Sequence, residues 1–145
     1  MTRLKTLSPD LASKIQRASA AKQRAASLAA CELAISHAKV EHPLVKRALE
    51  KVRALGVLTP DEKAELHALA AQLDEEYFTL QEAAEEGRGN IEDYMRVFSQ
   101  ARAVAALAFA GGEDASQAVA EAIYDAAATM DNKEELSARI LSLLE

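Results

Sequence analysis

A chain of 145 residues, half of them apolar, with five glycines, three prolines, no tryptophan and a formal net charge of −6, has the length of one domain with a core of its own. About a fifth of it is alanine, the strongest helix former, and β-branched residues are scarce, which excludes a β-rich fold. The lone Cys31 excludes an internal disulfide framework and suits a reducing compartment.

The charge is divided unevenly. Up to Arg53 eleven Lys/Arg stand against four Asp/Glu, and beyond it six stand against nineteen, so +7 is followed by −13. A field laid out in this way can steer a cationic partner or orient two parts of one molecule. The opening ten residues hold no apolar run of signal-peptide length, and the most apolar stretch, residues 103–112, is about half of what a bilayer span needs. A cytoplasmic location is expected.

Residues 1–7 read as a loose lead-in. Ser8 before Pro9 reads as an N-cap with proline at the first helical position, and nothing then interrupts the helical pattern before Pro43. Leu11, Ile15 and Ala18 form one stripe and Leu28, Cys31, Ile35 and Ala38 another. The polar residues 22–24 between them predict a kink or turn. His42 before Pro43 ends this segment near Val40, because the residue preceding proline is driven out of the α region. The next helix should bury Leu44, Ala48, Val52 and Leu55 and stop at Gly56 in a left-handed C′ position.

Thr59-Pro60-Asp61-Glu62 is a capping box. The helix it opens aligns Leu66, Leu69, Leu73, Leu80 and Ala84, with Tyr77 or Phe78 completing the face. Gly87, Gly89 and Asn90 end it and cap a helix whose inner side is assigned to Ile91, Tyr94, Phe98, Ala101, Ala105 and Ala108. Asp114 or Ser116 starts a helix burying Val119, Ala122, Ile123 and Ala126. Asp131 with Glu134 caps the last, which carries Leu136, Ile140, Leu143 and Leu144. The fold class is all-α: a single domain spanning residues 1–145, an antiparallel bundle or compact array of about five to six helices.

No catalytic or cofactor signature accompanies these helices. A Gly-rich phosphate loop, a His-Glu-x-x-His pattern and an EF-hand loop are all absent from the sequence. His37 and Glu41 share a helical face near Cys31 and His42, but a zinc site wants three or four converging ligands. Cys31 lies on an apolar stripe as a small hydrophobe. His67 has no nucleophile–base pattern beside it. The chain therefore reads as non-catalytic, with no cofactor and no metal.

Basic residues Arg3, Lys5, Lys14, Arg17, Lys22 and Arg24, with Lys46, Arg47, Lys51 and Arg53, offer phosphate-binding charge. The segment has no aromatic residue for base stacking. The acidic part is more informative. Asp74, Glu75, Glu76, Glu82, Glu85, Glu86, Glu92 and Asp93 bracket Tyr77, Phe78 and Tyr94 around the glycine turn. Aromatic anchors within a charged rim are the make-up of a protein-binding face, and the plain alternative is acid that only solvates a long helix.

Leu28-Ala-Ala-Cys31-Glu-Leu-Ala-Ile35, with Ala48-Leu-Glu-Lys-Val-Arg53, resembles the opening helices of the alanine-rich, all-helical immunity proteins of bacterial polymorphic toxin systems. Ala101-Arg-Ala-Val-Ala-Ala-Leu107 and Ala118-Val-Ala-Glu-Ala-Ile-Tyr124 resemble their later helices, although this chain lacks the tryptophan expected there. The resemblance implies a binding protein that neutralises a cognate toxin, and the acidic face would suit a basic effector domain. A self-associating helical module, as a homodimer, and a nucleic-acid regulator using the basic opening segment stand as the alternatives.

Overall fold

The structure is a computed structural model that describes residues 2–145, with side chains from Arg3 onward. These residues form eight helices and no strand: α1 (Thr2–Leu7), α2 (Pro9–Arg17), α3 (Ala20–Ala38), α4 (Pro43–Leu55), α5 (Pro60–Glu85), α6 (Ile91–Ala110), α7 (Ala115–Ala127) and α8 (Lys133–Leu144). The expected five to six helices were too few because the opening stretch divides into three. Residues 2–7, expected as a loose lead-in, form α1 and bury Leu4 completely, while Met1 lies outside the described residues.

The serines make those divisions. Ser8 Oγ accepts the Leu11 N–H at 3.3 Å with Pro9 at the first helical position, and Ser19 Oγ accepts the Lys22 N–H at 3.2 Å. The break expected at residues 22–24 falls instead at Ala18 and Ser19, because a serine hydroxyl there satisfies the first free amides of α3. Buried Gln23 closes the corner by donating to the Ile15 carbonyl at 2.9 Å. The capping box forms as expected, with the Thr59 N–H donating to Glu62 and the Glu62 N–H to Thr59 Oγ1. The last helix is capped by Asn132, whose Oδ1 accepts the Glu134 N–H at 3.0 Å, rather than by Asp131.

Helix α6 is the axis of the core. Every residue from Ala103 to Ala108 is buried, and the small methyls let α3, α5 and α7 approach closely on separate sides. Leu66, Leu107, Val104, Val119, Ile123, Leu136 and Ile140 supply most of the bulk. Helix α8 packs on α3, and α1 and α2 cover α7. Leu66 is 0 % exposed, so Leu66→Ala should cost about 2–5 kcal/mol, read as a lowered midpoint in urea at unchanged slope.

Two expected inner positions are corrected. Leu55 is 71 % exposed and the buried stripe of α4 is Val45, Ala48 and Val52. Gly56, at φ +80°, reverses the chain so that Leu58 rather than Leu55 enters the core. Leu58 donates its N–H to the Gly111 carbonyl at 3.0 Å. A Cβ at Gly111 would meet the Leu58 side chain at 2.5–2.8 Å, so Gly111→Ala should cost about 1–3 kcal/mol in the same assay. Ile91, the second correction, is 64 % exposed because the core ends before the first turns of α6.

Candidate protein-docking surface

On α5 the core takes only Leu66 and Ala70, with Leu69 and Leu73 packed at its margin. Residues 74–85 therefore continue past the core for about 18 Å of helix. The first turns of α6 run back beside them. The two stretches make a two-helix arm closed by the turn at Gly87, which adopts φ +80°. Its interior is aromatic: the Tyr77 ring centroid lies 5.8 Å from that of Tyr94 and 5.3 Å from Phe98 across the two helices, while the neighbouring Phe78 ring, 5.1 Å away on the same helix, is exposed. Such tilted ring pairs, with buried Val97 and half-buried Leu80, hold the helices together beyond the main core.

The site residues expected from sequence thus divide into two kinds. Tyr77 and Tyr94 are half-buried and hold the arm, whereas Phe78 is 57 % exposed. Ile91 and Met95, at 64 % and 44 %, join Phe78 as exposed apolar residues. Met95 was not singled out in the sequence and Ile91 was placed inside. A signal existed, since Ile91 and Met95 share a face one step from the Tyr94–Phe98 stripe.

The carboxylates also divide. Asp74 turns inward to Arg102, Asp93 pairs with Arg96 at 3.8 Å, and Glu86 pairs with Arg88. Glu75, Glu76, Glu82, Glu85 and Glu92 are exposed and make no ion pair among the described residues. No cation from the opening segment reaches them. Glu82 and Glu85 stand at the C-terminal end of α5, which has no basic residue in its last turn, so the helix dipole adds to their negative field.

At the root of the arm lies an ion network that sequence reading missed. Arg102 of α6 donates two bonds from Nη2 to Asp74 of α5, at 2.8 and 3.1 Å, and its Nη1 lies 3.6 Å from Asp125 of α7. Arg3 of α1 reaches Asp125 at 3.2 Å and Glu121 at 2.7 Å while lying over the Tyr124 ring. A charged residue at core spacing between Ala122 and Ala126 was the available clue. The Asp125 side chain is 2 % exposed and its Oδ2 has no hydrogen-bond partner.

Burial holds the Asp125 carboxyl above its usual range, against the opposing pull of Arg3 and Arg102. The folded state therefore binds this proton more tightly than the unfolded chain does. Stability from this group rises as pH falls through the folded-state value and levels off below 3.8, its unfolded value. Glu62 acts in the opposite sense. The Lys51 ammonium and the Thr59 N–H bring its pKa to about 2, so its contribution is present above 4.5 and is lost as pH falls toward 2. Asp125→Asn separates the two: the stability difference, wild type minus variant, should grow as the solution is acidified toward pH 3.8, and a difference independent of pH would refute the assignment.

Elsewhere the expected features turn inward. Of the ten candidate nucleic-acid contacts six are engaged within the molecule: Arg3, Lys14 with Asp10, Lys51 with Glu62, Arg53 with Glu32, and Lys22 and Arg24 on carbonyls. Arg24 donates to Ala110, Gly112 and Glu113 oxygens at 3.3, 2.6 and 2.7 Å and caps α6, while Lys22 reaches the Leu144 and Glu145 carbonyls. His42 Nδ1 accepts the Leu44 N–H, His37 lies 3.4 Å from Glu135, and His67 packs edge-on against Phe109. Burial pushes the Cys31 thiol up, and Glu32 and Asp125 add to the effect, which makes it a poor nucleophile.

No protein-family model matches the chain, and comparison with curated proteins and with solved structures finds none similar to it. Among the described residues no helix is long and apolar enough to cross a membrane. The fold and surface define a class: an all-helical array bearing an acidic two-helix arm.

Proposed function

We propose that this is a non-catalytic protein-binding module whose acidic arm docks a basic protein. The observation that carries this reading is the pairing, outside the core, of exposed Phe78, Ile91 and Met95 with carboxylates that no internal cation neutralises. Folding gains nothing from that arrangement, since exposed apolar area is unrewarded and like charges at a helix C-terminus repel. Uncancelled acid speeds encounter with a cationic surface, and the apolar residues retain it.

Of the roles open to such a module, neutralising a cognate toxin agrees best with the resemblance to alanine-rich immunity proteins. Toxin domains that act on nucleic acid present basic sites, and an acidic arm can occupy one in place of phosphate. Phe78, Ile91 and Met95 are the anchors in this account, and Tyr77 and Tyr94 hold the scaffold beneath them. Affinity capture from the native cell tests it, using wild-type bait and bait carrying Glu75→Lys, Glu82→Lys and Glu85→Lys. A basic protein retained by the first, released by salt and lost from the second is expected. Identical retention by both baits would refute the docking face.

A further inference from the structure

On two antiparallel helices, the residue that follows an inward-facing one projects to the same edge of the pair. Tyr77 and Tyr94 face each other across α5 and α6, so Phe78 and Met95 share one edge, and Ile91, four residues before Met95, lies on it. The Asp74–Arg102 bridge lies on the same edge. At about 100° per residue, three residues before Tyr77 and eight after Tyr94 fall on that same side, where the two groups do meet at 2.8 Å.

Helix α7 lies along this edge of α6 as far as Arg102, which reaches Asp125. Beyond that point the edge is bare. Glu75, Glu82 and Glu85 stand three before, four after and seven after Phe78, so they flank it on one stripe of α5, and Glu92 stands three before Met95 on α6. All four acids are exposed.

Resting on the docking function above, we propose that this edge seats a basic amphipathic helix of the partner as a third helix of the arm. Two packed helices offer an apolar furrow and no free backbone edge, so a helix rather than a strand fits it. The edge runs about 18 Å along α5, room for about three turns of helix, with its apolar residues gathered within about one turn and its acids spread beyond them. The partner's apolar stripe lies on Phe78, Ile91 and Met95, and its lysines and arginines face Glu75, Glu82 and Glu85 on one flank and Glu92 on the other. A second copy of this chain does not fit edge to edge, because it would set these carboxylates against their own kind.

Two synthetic peptides of the same leucine and lysine composition test this, one with leucines at three- and four-residue spacing and one with the order scrambled. Titrated by fluorescence anisotropy at ~0.15 M salt, the patterned peptide should bind at least about tenfold tighter and become helical on binding by circular dichroism. Phe78→Ala with Met95→Ala should weaken it at least about fivefold, whereas Leu55→Ala, at an exposed residue on α4, should leave it unchanged. Equal binding of both peptides, or full affinity in the Phe78/Met95 variant, overturns the helix seat. If that equal binding is still abolished by Glu75→Lys, Glu82→Lys and Glu85→Lys, the acidic docking arm survives without it. Binding of neither peptide, even at low salt, overturns both.

Discussion

Replacing Arg102 by alanine is expected to lower folding stability by about 3–5 kcal/mol, one of the largest effects of any single substitution in this molecule. Its guanidinium ties three helices, holding Asp74 with two bonds and standing 3.6 Å from Asp125. Alanine leaves Asp125, with a side chain 2 % exposed, facing Arg3 as its remaining cation. Arg102→Lys should recover only part of the loss, because one ammonium cannot span both carboxylates. Arg102→Leu together with Asp125→Leu should recover most of it, since the apolar pair removes the buried charge as well as its partner and leaves Asp74 at a half-exposed position. Urea denaturation of the four proteins decides the matter: a single variant within about 0.5 kcal/mol of wild type would show that the bridge carries no structural load.

The second large effect is kinetic. Glu75→Lys, Glu82→Lys and Glu85→Lys each add two positive charges, taking the net charge from −6 to 0 and reversing the sign of the arm locally. Association with a basic partner should slow by about 10- to 1000-fold at low salt. The difference should narrow toward ~0.15 M salt, where the screening length is about 8 Å. Stability should hold or rise slightly, because lysine near the C-terminus of α5 complements the helix dipole. Stopped-flow binding against salt, beside a melting curve, separates lost steering from unfolding. An association rate unchanged by the reversal would remove the arm from the encounter.

Helix content, most caps and the alanine-packed centre were legible in the sequence because each is written in local spacing. Thr59 with Glu62, and Gly56 after Leu55, signal through neighbours in the chain. What was not legible depends on residues far apart in sequence. The break at Ser19 is the local exception, where the pattern leaves open that Gln23 turns back onto the Ile15 carbonyl. Nothing near Ile91 shows that the core ends before it. The charge division after Arg53 was visible, but the use of the early cations as clips on distant carbonyls and carboxylates was not, since Arg24 finds its acceptors 86 to 89 residues away. The density of acid around the glycine turn was visible in the sequence, while which of its carboxylates find an arginine, and which of its rings are exposed or half-buried, depends on the facing helix.

Because the arm is held by its own rings, Val97 and Leu80 rather than by the leucine-filled centre, its opening need not wait for global unfolding. Amides of its outer turns should exchange with deuterium through a separate, low-energy fluctuation, on a different schedule from those around Leu107 and Ile123. Such a segment yields first to proteolytic nicking, and occupation of its bare edge would slow both processes together.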